Sequence, residues 1–280
     1  MHSILIIITL LVAWGIRYTW QPQTGPWRQR WQRAVVSFLF PPLLLLGTAI
    51  AILCMGPNGQ MIGIPTEGFS YWGMMGYLLF ALSLSIKRLW VARQTQHQLR
   101  TSPEIELPDT PARLLTTDTP YSAQIGLWQP TLVISQGLLN TLDTAHLNAV
   151  LRHEQAHSYY HDTFWFFLWG GLRAITPWLP KTEALWEELL LLRELRADAF
   201  AKQQTDPLLL AESLLLVISA PSFQGETTVA ALNDAQTCDR LQERIEALLS
   251  EETPEIAPQY RQWSWLLLTL LPMIAVPFHN

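Results

Sequence analysis

"LRHEQAHSYYHD", residues Leu151 to Asp162, places His153 and His157 four positions apart with Glu154 beside the first. Residues four apart on a helix share a face and lie about 6 Å from each other. Both imidazoles can therefore point at one ion, at the roughly 2.0–2.1 Å typical of Zn–N bonds. Glu154 is one position further round, poorly placed to ligate but able to hold a water next to the ion and accept its proton. That is the H-E-x-x-H arrangement of zinc peptidases. A lone match also arises by chance, so the rest of the chain must supply what a hydrolytic zinc requires.

It requires a third protein ligand and one position left to water or substrate. "RELRADAFA", Arg193 to Ala201, offers Glu194, with Asp198 four residues later on the same face. A histidine bound to metal commonly donates its other ring N–H to a carboxylate, a role open to Asp198 and also to Asp162, five residues beyond His157. Glu187 and Glu188 are rival ligands, but neither has an acid four residues on. The expected set is His153, His157 and Glu194 around one Zn2+, with Glu154 as the catalytic residue.

The surroundings are apolar. Hydrophobic residues make up 49% of the 280, only 15% are charged and thirteen are Trp, a mix that suggests membrane segments with aromatic belts. A formal charge of −5 leaves no basic surplus for neutralising phosphates, which argues against direct nucleic-acid binding. Cys54 and Cys238 form no disulfide framework, in keeping with a reducing compartment for the polar part of the chain.

Three apolar stretches, about 3–20, 35–55 and 71–91, read as transmembrane helices, and Trp263 to Phe278 as a fourth. The first lacks a basic leader and a cleavage site, so it reads as a retained anchor. Pro41-Pro42 should kink the second, a defect tolerated where neighbours satisfy the freed carbonyls. Arg17, Arg28, Arg30 and Arg33 lie between the first two stretches, and Lys87, Arg88, Arg93 and Arg100 follow the third, whereas Gly56 to Ser70 holds no Lys or Arg. The positive-inside rule then sets the N-terminus outside, residues 94–261 in the cytoplasm and the C-terminus outside, and Arg261 agrees. "TFWFFLWGGLRAITPWLP", Thr163 to Pro180, is apolar but marginal in length and interrupted by Arg173. A single crossing there would separate the two histidines from Glu194, so it reads as a buried or membrane-leaning helix that does not span.

Within residues 94–261, Gln94 to Pro111 reads as a linker, with Pro103, Pro108 and Pro111. "LWQPTLVIS", Leu127 to Ser135, has the β-branched run of a strand. Asp143 or Thr144 can cap a helix that continues through the opening motif. Further helices are expected over Thr182 to Ala201 and over "CDRLQERIEALLS", before a linker with Pro254 and Pro258. The expected fold is mostly α with a small β-sheet: a multi-pass membrane protein with four transmembrane helices and a cytoplasmic α+β domain.

"HEQAHSYYHD" and "ELRADAFA", with "PTLVISQGLLNTL" upstream, resemble the gluzincin-type integral-membrane metallopeptidases over roughly Leu114 to Leu249. Two branches compete, the BlaR/MecR-type signalling peptidases and the heat-shock and CAAX-type membrane proteases; the membrane layout resembles the former. The resemblance implies zinc held by His153, His157 and Glu194, with Glu154 as general base and then proton donor. It also implies that Leu132, Val133, Ile134 and Ser135 form the edge strand on which an extended substrate lies. An oxyanion-stabilising Tyr or His is expected but not identified by the motifs. In the first branch the partner is a DNA-bound repressor of the BlaI/MecI/CopY type, cleaved from a bacterial-type inner membrane. Beta-lactam sensors carry a penicillin-binding domain after the last helix, whereas few residues follow Phe278 here, so the signal must enter otherwise.

Soft ligands suggest one such signal. Cys54, Met55, Met61, Met74 and Met75 flank the outer loop and Met273 lies in the last stretch, and thiolates and thioethers select Cu(I). Such residues are also ordinary membrane filler. The functions in competition are an antirepressor protease, a membrane quality-control protease and a metal-binding receptor without catalysis.

Overall fold

The computed structural model describes residues 2–58, 60–61, 64–65, 68–107, 110–219, 230–250 and 263–278. Arg261, the Pro254–Pro258 linker and the side chain of Met61 lie outside the described residues. The chain forms two compact units, one of residues 1–89, 168–190 and 256–280, the other of residues 90–167 and 191–255.

The first unit is helical. Helices α1 (His2–Thr19), α2 (Trp27–Met55) and α3 (Gly68–Leu99) are long and apolar enough to cross a membrane. Between α2 and α3 lies a small hairpin of β1 (Gln60–Met61) and β2 (Ile64–Pro65). On α3 only Ser70 is buried, while Phe69, Trp72, Leu79, Phe80, Leu82 and Ile86 are exposed. Exposed apolar surface of that extent is a liability in water and suits lipid. The fourth apolar stretch is a shorter 3-10 helix, Ser264–Phe278, containing Pro272 and Pro277. It packs on α2 at Gly47, where a Cβ would come within 2.5 Å of the Thr269 carbonyl oxygen, so only glycine permits the approach.

Helix α2 runs on through Pro41 and Pro42. Pro42 has no N–H to give the Phe38 carbonyl four residues earlier, and Arg17 supplies the missing donor: its Nη2 lies 3.1 Å from Phe38 O. Arg17 is fully buried, with Nη1 3.3 Å from the Thr182 hydroxyl and its guanidinium 5.1 Å from the Phe38 ring. A residue counted among the charges between the first two apolar stretches is thus an internal donor.

The marginal stretch at 163–180 forms α6 (Asp162–Ile175), about 21 Å long, and a turn leading into α7 (Thr182–Ala201). In the first unit, Leu179 of the turn packs with Ala13 and Leu45, Trp169 meets Trp31 at 5.9 Å and Trp186 meets Phe38 at 5.7 Å. Helices α6 and α7 each contribute residues to both units.

The second unit carries the sheet. The expected linker Gln94 to Pro111 is instead the end of α3 followed by β3 (Glu104–Leu107), paired antiparallel with β4 (Thr110–Leu115). Pro111 does not spoil the sheet because the pairing of β4 with β6 begins at Ala112. After β5 (Ser122–Ile125), Gly126 takes φ +126° and turns the chain into β6 (Thr131–Ser135). The order is β3-β4-β6-β5, with β4 and β6 parallel and the other pairs antiparallel.

Ser135 caps α4 (Gln136–Thr141) through its hydroxyl, and Asp143 caps α5 (Thr144–Tyr159), accepting from the amides of Ala145 and His146 at 3.0 and 2.9 Å. One core cluster joins sheet and helices through Ala112, Leu132, Ile134, Leu138, Val150 and Leu151. Another gathers Ala149, Ala201, Leu210, Ala211 and Leu248, tying α5 and α7 to α8 (Pro207–Ser219) and α9 (Ala230–Leu249).

Candidate metal centre

Helix α5 carries His153, Glu154 and His157 on buried or partly buried positions because its apolar residues Ala149, Val150 and Ala156 seat it in the core. Helix α7 brings Glu194 to the same point. His153 Nε2 lies 3.2 Å from His157 Nε2 and 3.3 Å from Glu194 Oε2, and His157 Nε2 lies 3.8 Å from that same oxygen. Three donors each about 2.05 Å from a tetrahedral zinc would stand about 3.3 Å apart. Two of the triad's separations have that spacing and the third, at 3.8 Å, is longer, and the group could hold a metal ion. The imidazole planes cross at 83°, so the nitrogens converge without the rings stacking.

The other ring nitrogens point away from the triad. His157 Nδ1 is 2.8 Å from Asp162 Oδ2. His153 Nδ1 is 2.8 Å from Asp198 Oδ1, in ionic contact rather than in an aligned hydrogen bond. Both acids expected behind the histidines are therefore in contact with them, one per ring, and both Nε2 atoms face the triad.

Behind the carboxylates stand three arginines that motif reading passed over. Arg244 of α9 grips Asp198 with Nε at 2.7 Å and Nη2 at 2.9 Å, and its Nη1 is 3.6 Å from Glu194 Oε2. Arg196 pairs with Asp162 while lying 4.2 Å from the Tyr160 ring centre. Arg193 donates to Glu194 Oε1 from Nε and Nη2 at 2.9 and 2.7 Å. A signal for Arg244 was present: Leu241, Ile245 and Leu248 make an apolar stripe, and Arg244 sits within it where a hydrophobe would be ordinary.

These charges set the protonation. Burial disfavours the ionised form of Glu194, but the His153 hydrogen bond and the charges of Arg193 and Arg244 override it and hold the carboxyl well below its usual range. Burial likewise opposes charge on Asp198, and Arg244 again prevails and keeps it low. For His153, burial works against protonation, yet Asp198 and Glu194 outweigh it and push the imidazole up to about 10. A dication would take over the neutralising role of that proton, since metal binding to histidine displaces it.

Glu154 is 6% exposed. Its Oε1 accepts a hydrogen bond from the Ser122 hydroxyl at 2.7 Å, and its Oε2 is buried without a partner among the described residues. A buried carboxylate oxygen without a donor is costly, so the position suits an incoming N–H or O–H group. Ser122 was also invisible to motif reading, being a lone serine in a short strand.

The edge-strand expectation needs correction. Leu132, Val133, Ile134 and Ser135 belong to β6, which pairs with β4 on one side and β5 on the other. All four are buried, as in a strand covered on both faces, and no main-chain edge remains there for a substrate. The edge beside Glu154 is β5, from which Ser122 reaches that residue. Of the soft residues, Met55 and Met74 pack with Met273 in one apolar cluster, whereas Cys54 is exposed and Met75 lies outside that cluster.

No curated protein and no solved structure matches the chain. Residues 85–195, a span that includes His153, Glu154, His157 and Glu194, match the model of peptidase family M48, a family of zinc metallopeptidases, which is consistent with a hydrolase.

Proposed function

We propose that the chain is a membrane-embedded, zinc-dependent endopeptidase that cleaves protein segments presented in extended form. The observation that carries this reading is the convergence of His153 Nε2, His157 Nε2 and Glu194 Oε2 beside the unpartnered Oε2 of Glu154. When bound, zinc lowers the pKa of a water and polarises the scissile carbonyl. The protein's own residues do the rest. Ser122 fixes the Glu154 carboxyl, which takes a proton from the attacking water and delivers it to the departing amide nitrogen. The edge of β5, Ser122–Ile125, which has no outer neighbouring strand among the described residues, holds the substrate main chain by strand addition. Asp162, bonded to His157 Nδ1, and Asp198, against His153 Nδ1, occupy the outer ring nitrogens and leave both Nε2 atoms toward the triad.

The charge pattern of the loops supports a cytoplasmic active site with the N-terminus outside a bacterial-type inner membrane. Fifteen residues in a 3-10 helix rise about 30 Å, enough for Ser264–Phe278 to serve as a fourth crossing. Two substrate readings follow the two branches of the resemblance. The membrane layout favours an antirepressor that inactivates a BlaI/MecI/CopY-type repressor, with a soft metal such as copper as one signal that the Met55, Met74 and Met273 cluster could receive. The M48 match favours the heat-shock and CAAX-type branch and a broader membrane quality-control role.

The test compares cells carrying the wild-type chain with cells carrying Glu154→Gln. Proteolysis should fall by about 10²–10⁴-fold while zinc stays bound, since general-base catalysis contributes on that order. One DNA-binding repressor accumulating in the variant supports the first substrate reading, and many membrane proteins the second. Unchanged proteolysis by the variant sinks the peptidase assignment.

A further inference from the structure

The end of α1, the connection to α2, the first turns of α2 and Glu188 of α7 line an open cavity of about 350 Å³. Its chemistry is two-sided. Arg30 and Glu188 form a forked pair on its wall, with Nε–Oε1 at 2.8 Å and Nη2–Oε2 at 3.1 Å, each side chain only 11% exposed. Arg33 also lines it, is exposed and donates to Gln23. The Arg30–Glu188 pair cancels itself, so the cavity carries about one net positive charge, centred on Arg33. Ser37 lines the same space, and Pro41 removes the helical donor of its carbonyl.

Position narrows the occupant. The apolar run of α1 ends at Ile16 and that of α2 begins at Val35, so the cavity, lined by Ile16 and Ser37 together with Gln21 and Arg33, lies where both runs give way to polar sequence. Trp20 lines it as well, an aromatic suited to headgroup level. We propose that this cavity binds the phosphodiester of a membrane phospholipid whose headgroup also carries N–H or O–H donors. Arg33 pairs with the phosphate, and Glu188 and the Ser37 carbonyl receive the donors. A guanidinium meeting a phosphate oxygen is the strong, forked kind of contact.

The experiment measures phospholipid retained by the purified full-length chain in detergent, by native mass spectrometry, after exposure to phosphatidylethanolamine, phosphatidylglycerol or phosphatidylcholine. Arg33→Gln should lower retention of the first two by about tenfold, the loss of one charged hydrogen bond. Arg33→Lys should restore only part of it, because an ammonium keeps the charge but not the fork. Arg28→Gln serves as control, because Arg28 stacks on Trp27 instead of lining the cavity. Equal retention by Arg33→Gln and Arg28→Gln overturns the proposal. So does phosphatidylcholine binding as well as the donor-bearing lipids, or soluble glycerophosphoethanolamine binding as tightly as the lipid, which would make the ligand a free metabolite. Arg33 is exposed, so its replacement leaves the fold intact, and unchanged zinc content verifies this.

Discussion

Replacing Arg244 by methionine tests whether the charges behind the metal centre hold it together. Asp198 is 1% exposed and takes both of its arginine bonds, at 2.7 and 2.9 Å, from that one residue. Methionine keeps much of the volume and removes the charge, leaving a buried carboxylate with His153 alone. Breaking a buried pair from one side costs about 3–5 kcal/mol, and the surviving His153 contact puts the expected loss near the lower figure. At roughly 2–4 °C per kcal/mol, a loss of about 3 kcal/mol lowers the melting midpoint by about 6–12 °C. Asp198 also orients His153, and disturbing such an outer contact weakens metal binding by about 10–100-fold. The assay is thermal unfolding of zinc-loaded and chelator-stripped protein in detergent, together with zinc competition against a chromogenic chelator. Adding Asp198→Asn to Arg244→Met removes both charges and should recover part of the stability, because no buried ion is then left alone. A single variant melting within about 2 °C of wild type with zinc affinity unchanged would refute the reasoning, as would a double variant no more stable than the single.

Ser122→Ala removes the 2.7 Å hydrogen bond to Glu154, and at about 1 kcal/mol turnover should fall about fivefold with zinc content unchanged, as read by peptide cleavage and metal analysis. The metal-free protein should lose stability as pH rises from about 6.5 toward 10. The His153 imidazole is raised in the folded state, so its contribution is complete below the unfolded value and disappears through the folded one; melting curves across that range check it. Zinc affinity should move the opposite way over the same window, rising with pH as the competing proton leaves, and chelator titrations would show it. Gly47→Ala puts a Cβ within 2.5 Å of the Thr269 carbonyl oxygen, so α2 and the 3-10 helix must separate, lowering the melting midpoint of the detergent-solubilised chain.

The convergence of the three residues that could hold a metal ion was legible because their helices obey a regular period. His153 and His157 are one turn apart, Glu194 and Asp198 another, and these spacings survive whatever the surrounding fold does. The helix over Thr182 to Ala201 and its counterpart through the opening motif were readable for the same reason, with Asp143 as a local cap. Pairing across long separations was not readable. Arg244 lies 46 residues beyond Asp198, and nothing in its own stretch names its partner. Ser122 reaches Glu154 from 32 residues earlier.

The sequence by itself determined the chemistry of the candidate site and the apolar character of the helices, because side-chain type and local periodicity are written residue by residue. Only the tertiary structure decided that β6 is central and β5 the edge, since strand order depends on which backbones share hydrogen bonds, and a buried apolar run looks alike in either place. Only it could turn Arg17 from an expected interfacial charge into the donor for a carbonyl that Pro42 leaves bare. Hydrogen bonds between distant segments are properties of the folded arrangement, and no spacing rule along one strand of chain encodes them.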